Sequence, residues 1–131
     1  MNTHQILQVL LYNHQIEPVS ALDAQQLTLK EHQSLAQLQC KPSGFLNQYD
    51  QLFRYVSLWL LQRGYVLTNY QPHQSLLRIN QQWACDQQIT NVIKRRHQLK
   101  KRLNLQPPSV AEENTLRALL VQIQQQTSQA C

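Results

Sequence analysis

Glycine is almost missing from this chain, with two residues in 131. A β-sandwich or barrel of this length needs a turn about every 8–12 residues, and two glycines with five prolines cannot furnish them. Long runs of Leu, Gln, Ala and Lys between those few breakers favour helix instead, so the expected class is all-α. At this length one domain with a sizeable core is expected.

Charge is also scarce, at 15% of residues. Glutamine covers the solvated faces instead and gathers only in a short run at Gln124–Gln126, which reads as compositional habit and not as a prion-like tract. The three cysteines, Cys40, Cys85 and Cys131, are odd in number and far apart, without a CxxC pair. They exclude a disulfide framework and suit a reducing cytoplasm, with Cys85 expected as a small core residue. The start of the chain lacks the basic stretch and apolar core of a secretory signal, and the longest strongly apolar run, Tyr55–Leu61, is too short to span a bilayer. The five histidines show no i,i+4 pairing and no cysteine at ligand spacing, so no metal site is expected. With no Gly-rich phosphate loop and no GxSxG elbow either, no cofactor is expected.

The chain reads as one N-terminal helix at 1–18 packed on a helical-bundle domain at 19–127, with a tail at 128–131. Asn2 and Gln5 form a capping-box pattern, and the first helix is expected to run toward Glu17-Pro18. Ser20 with Asp23 opens a second helix, on which Leu22, Leu29 and Ala36 recur every seven residues, and Pro42-Ser43-Gly44 breaks it. The third, about Phe45–Arg63, is apolar around most of its circumference and belongs at the centre of a bundle or at a subunit interface. Gly64 is placed as its C-terminal cap. Pro72 opens the next helix, which Trp83 is expected to end. Asp86 begins a helix terminated by Pro107-Pro108, and Ser109 with Glu112 caps the last. Short connections make consecutive helices antiparallel, giving an up-and-down bundle of four to five helices plus the N-terminal one.

Against this neutral background stands one concentration of charge. Lys94, Arg95, Arg96, Lys100, Lys101 and Arg102 hold six of the twelve Lys and Arg, and the other six fall one short of the seven acidic residues. On a helix, Lys94 and Lys101, and Arg95 and Arg102, each stand seven apart and form a cationic face around Gln98. One reading is a solvated face complementing the helix dipole. The other is a phosphate-binding surface for nucleic acid or a nucleotide, with these six residues as contacts. Arg96 falls between Val92 and Leu99 at a seam position, so its guanidinium must either snorkel outward or enter a cleft. His97 is the only ring within the cluster, so stacking readout of single strands is unsupported there. Asp50 reads as a local i,i+4 partner of Arg54, and His73 as a first-turn surface residue.

The stretch from Tyr49 to Leu77 resembles the HEPN domain family. Tyr49, Phe53, Leu60, Leu61, Gly64, Tyr65 and His73 match its central helix, Gly-Tyr end and following histidine, and Arg96-His97 matches the first half of a later landmark. The match covers about 20–126. The resemblance implies a HEPN-like bundle, commonly a homodimer with the Arg motif in a composite groove. It also implies links to RNA cleavage, toxin–antitoxin pairs or a nucleotidyltransferase partner. In active members a histidine beyond the arginine takes part in metal-independent cleavage; here the position five after Arg96 is Lys101, a poor general base near neutral pH. Arg96 and, more weakly, His97 are therefore the catalytic candidates of a degenerate ribonuclease motif. A binding protein for RNA or a nucleotide is the leading expectation. Its competitor is a non-enzymatic immunity or antitoxin-like module docking an acidic protein on the basic face.

Overall fold

The computed structural model describes residues 2–103 and 106–128. In chain order they form α1 (Thr3–Tyr12), β1 (Ile16–Pro18), α2 (Ala21–Gln39), α3 (Phe45–Gln62), β2 (Tyr65–Leu67), α4 (Pro72–Asn80), α5 (Asp86–Lys100) and α6 (Val110–Ser128). This is a helical bundle of the all-α class, and none of its helices is long and apolar enough to cross a membrane.

Local chemistry sets most of the boundaries. Asn2 and Gln5 close a reciprocal capping box at α1, and Ser109 and Glu112 close another ahead of α6. The Ser20 hydroxyl accepts from Asp23 N–H at the start of α2. Gly64 follows α3 at φ 86, a left-handed geometry that a side chain would strain. Pro72 occupies the first turn of α4, where its missing N–H leaves no intrahelical bond unmade.

The core is organised around α3, which packs against α2, α4, α5, α6 and β2. Leu52, Val56, Trp59 and Leu60 on α3 are fully buried, and Ile6, Leu10, Leu76, Ile79, Ile89, Leu116 and Ile123 meet them from the other helices. Truncating such a residue, Leu52→Ala for example, would cost about 2–5 kcal/mol.

The structure departs from the sequence expectations in five places. Helix α1 stops at Tyr12 and not near Glu17-Pro18, because His14 adopts φ 60, which no right-handed helix can continue through. The residues that follow pair antiparallel with β2, Ile16 opposite Leu67 and Pro18 opposite Tyr65. Thr68 N–H to Gln15 C=O and Val19 N–H to Gly64 C=O extend the ladder, tying α1 to the α3–α4 connection. On α2 the seven-residue repeat faces solvent: Leu22 and Leu29 are more than 60% exposed, and Leu35, about 100–140° around the helix from the repeat, is the residue buried. Helix α4 ends at Asn80, so Trp83 lies in the turn beyond it. Helix α5 ends at Lys100, well before Pro107, and Arg102 then turns the chain with φ 55. Cys85 is exposed at the N-cap of α5 and is not a core residue. Of the expected tail at 128–131, residues 129–131 lie outside the described residues.

Candidate functional site: a cleft around Arg96

Three residues far apart in sequence meet at one cleft. The short turn between α2 and α3 makes them antiparallel neighbours, held at the turn by Asn47 Nδ2 donating to Leu38 C=O and further along by an Arg54–Glu31 ion pair at 3.2 Å. Between their facing sides opens a cleft of about 410 Å³, into which α4 delivers His73 and α5 delivers Arg96. Ser34 and Gln37 of α2, Lys41 just beyond its end, and Tyr49, Asp50 and Phe53 of α3 complete much of its wall.

His73 is fixed in the second position of α4, just after Gln71 in left-handed geometry (φ 47) and Pro72. Its ring meets the edge of Phe53 at 5.5 Å between centroids. Its Nδ1 lies 2.8 Å from the Tyr49 hydroxyl, and its Nε2 lies 3.3 Å from Arg96 Nη1. An arginine N–H can only donate, so Nε2 accepts and the imidazole proton sits on Nδ1, donating to Tyr49 Oη. The Tyr49 hydrogen is then available to a further acceptor. Burial lowers the His73 pKa, and the nearby Arg96 charge lowers it further, so the ring is neutral at neutral pH. Burial pushes the Tyr49 pKa up, against the pull of Arg96 and with a smaller push from Asp50, which keeps the phenol protonated.

Arg96 therefore stands among neutral partners. Its guanidinium carbon is 5.4 Å from the centroid of the Tyr49 ring, within cation–π range. Its Nε is buried without a hydrogen-bond partner, and neither ion pair among the described residues includes it. A part-buried cation unmatched by a carboxylate among the described residues keeps donor capacity that an anionic acceptor would satisfy.

The remaining members of the basic cluster separate. Lys94, Lys100, Lys101 and Arg102 are exposed, as is His97, which lies outside the cleft wall. Arg95 departs from the expected cationic face: it is only 6% exposed. Its Nε lies 3.0 Å from Glu112 Oε2, close enough for an ion pair but without a directed hydrogen bond, while Nη2 donates to the Gln106 carbonyl. Glu112 is both the α6 capping-box residue and the counter-ion of Arg95, so this arginine clamps α5 to α6.

His73 lines the cleft instead of the open surface, and Arg54 pairs across to Glu31 of α2 instead of to Asp50. Lys41 was not singled out by the sequence at all. The signal that could have placed His73 is local: a Pro-His pair opening a helix directly after the strand and loop that leave α3. Comparison of the chain with protein-family models, curated proteins and solved structures finds no match. The resemblance to the HEPN family thus rests on its quoted residues alone, three of which, Tyr49, His73 and Arg96, are the ones that converge here.

Proposed function

We propose that this cleft binds a phosphate group of RNA or of a nucleotide, in a cytoplasmic HEPN-like protein. The observation that carries the reading is the environment of Arg96, a part-buried guanidinium lining a cleft, with no carboxylate at ion-pair distance and no acceptor for its Nε among the described residues. A phosphate oxygen would supply the missing acceptor, the Tyr49 O–H and the Lys41 ammonium would add donors, and exposed Lys94, Lys100, Lys101 and Arg102 would raise the local positive potential. Binding is favoured over cleavage because the Nε2 lone pair that a proton acceptor needs is already engaged by Arg96. A degenerate ribonuclease motif fits that arrangement. A homodimer, and a place beside a toxin or a nucleotidyltransferase, complete the HEPN-like reading.

Fluorescence anisotropy with a labelled single-stranded oligoribonucleotide tests it. Affinity should fall linearly on a log–log plot against salt, with a slope of about −0.7 per phosphate neutralised, and Arg96→Ala should weaken binding at every salt concentration. Absence of binding at low salt would remove the nucleic-acid reading and leave the acidic-protein partner. Equal affinity of Arg96→Ala and wild type would remove Arg96 from the site.

A further inference from the structure

The Arg96 cleft is one end of a longer groove. Along α3, Tyr49, Phe53, Ser57 and Leu61 recur at four-residue spacing and so share a face. The first two line the cleft, while Phe53, Ser57 and Leu61 line a second chamber of about 260 Å³. The opposite wall continues likewise on antiparallel α2: Gln37 and Ser34 in the cleft, with Lys41 just beyond the helix end, then Glu31 and Leu27 in the second chamber. Strand β2 with Thr68 and Asn69 closes the far side, and Pro72, the neighbour of His73, lies at its edge. Phe53 is thus a wall common to both spaces, and the Arg54–Glu31 ion pair spans their boundary.

The two chambers differ in chemistry. The first offers Arg96, Lys41 and the Tyr49 hydroxyl. The second contributes Leu27, Leu61, Val66, Leu67 and the Phe53 ring, a few neutral polar groups, and Glu31 as its one ionisable side chain. It carries no cation for a second phosphate. An aromatic wall, aliphatic surfaces and a carboxylate acceptor already held in place by Arg54 are the requirements of a flat ring bearing an amino group. Successive residues of the α3 row stand about 6 Å apart along the helix, so a ring in the second chamber is adjacent to a phosphate in the first.

We infer that the second chamber is a nucleobase subsite, with Phe53 as its stacking wall and Glu31 accepting from an exocyclic amino group. The ligand is then a nucleotide unit whose phosphate meets Arg96 and whose base, adenine or cytosine before uracil, lies between α2, α3 and β2. This rests on the phosphate reading of the cleft and adds the identity of what the phosphate is attached to.

Isothermal titration of the intact protein with inorganic phosphate, ribose 5-phosphate, uridine 5′-monophosphate and adenosine 5′-monophosphate tests it. Adenosine monophosphate should bind about tenfold more tightly than ribose 5-phosphate, the gain expected of a stacked base, with uridine monophosphate between them. Ser57→Leu, which fills the second chamber only, should abolish that advantage and leave ribose 5-phosphate affinity as it was. Glu31→Gln should narrow the gap between adenosine and uridine monophosphates. Equal affinity for ribose 5-phosphate and both nucleotides would overturn the base subsite while leaving the phosphate site standing. No binding of any phosphate would overturn both, and an undiminished nucleotide preference in Ser57→Leu would place the base elsewhere.

Discussion

Arg95 and Arg96 are neighbours in sequence, yet the two sides of α5 on which they fall use the same functional group in opposite ways. At the α5–α6 contact Arg95 is nearly excluded from solvent, and its charge is answered by Glu112 and by the Gln106 carbonyl. At the cleft Arg96 meets a neutral imidazole and the face of a phenol, and among the described residues no carboxylate pairs with it. The first has its counter-ion in place and is closed to solvent, although Nε and Nη1 make no directed hydrogen bond. The second has no counter-ion among the described residues and opens on a cleft. Positive charge alone says little about binding; what distinguishes a binding arginine from a structural one is whether the fold has already supplied its anion.

The largest effect that could sharpen this contrast is on stability. Arg95→Ala removes a buried cation, deprives the Gln106 carbonyl of its donor and leaves Glu112, 38% exposed at its side chain, to rehydrate. The expected loss is about 2–3 kcal/mol, or a fall of about 8 °C in Tm for a chain of this size, measured by calorimetry. RNA affinity per folded molecule should not change. A stable Arg95→Ala protein that no longer binds RNA would reverse the assignment of the two arginines.

Arg96→Ala is the mirror experiment. It deletes a part-buried cation that has no carboxylate partner among the described residues, so stability should change by no more than about 1 kcal/mol, in either direction. Affinity for single-stranded RNA should drop about 10- to 100-fold, the range for losing a charge-assisted hydrogen bond to phosphate. Collapse of the fold in this variant would mean that Arg96, like Arg95, is structural.

That two adjacent arginines divide in this way could not be read from the chain. Both stand on the apolar side of α5, three and four residues after Val92, and periodicity cannot say which one meets a carboxylate contributed by α6. The caps were legible because each is written within four residues: Asn2–Gln5, Ser20–Asp23, Ser109–Glu112, and the Gly64 and Pro72 punctuation. The β1–β2 ladder was not, since three-residue strands are too short to show alternation and their pairing joins Ile16 to Leu67 across fifty residues. The Leu22–Leu29–Ala36 repeat misled for a related reason. A regular spacing identifies a face of α2, but only the position of α3 decides that Leu35 is the face that is buried.

His73 provides a smaller effect with a definite sign. Its pKa is depressed in the folded protein, by burial first and Arg96 second, so below the unfolded value of about 6.5 the unfolded chain binds more protons. Its contribution to stability is complete above about pH 6.5 and is lost as the pH falls from there through the folded value. Chemical denaturation across that range should show a shallower loss for His73→Asn than for wild type. A phosphate beside Arg96 would favour the protonated ring, so RNA affinity should rise on acidification in wild type and less so in His73→Asn. An affinity that weakens as pH falls would contradict a phosphate at this position.

The smallest change separates the hydroxyl of Tyr49 from its ring. Tyr49→Phe keeps the aromatic face under Arg96 and the packing of α3 but removes the acceptor that fixes His73 Nδ1–H. One part-buried hydrogen bond lost in this way costs about 1 kcal/mol, a shift of a few degrees in Tm. If the fixed tautomer is what turns the phenolic hydrogen toward a bound phosphate, RNA affinity should fall about three- to fivefold, a loss near the same 1 kcal/mol. Inorganic phosphate should be weakened by the same factor, because the missing donor belongs to the phosphate end of the groove and not to the chamber beyond Phe53. A loss confined to stability, with both affinities intact, would show that Tyr49 only braces His73. Phosphate recognition at this end of the groove would then fall to Arg96 and Lys41.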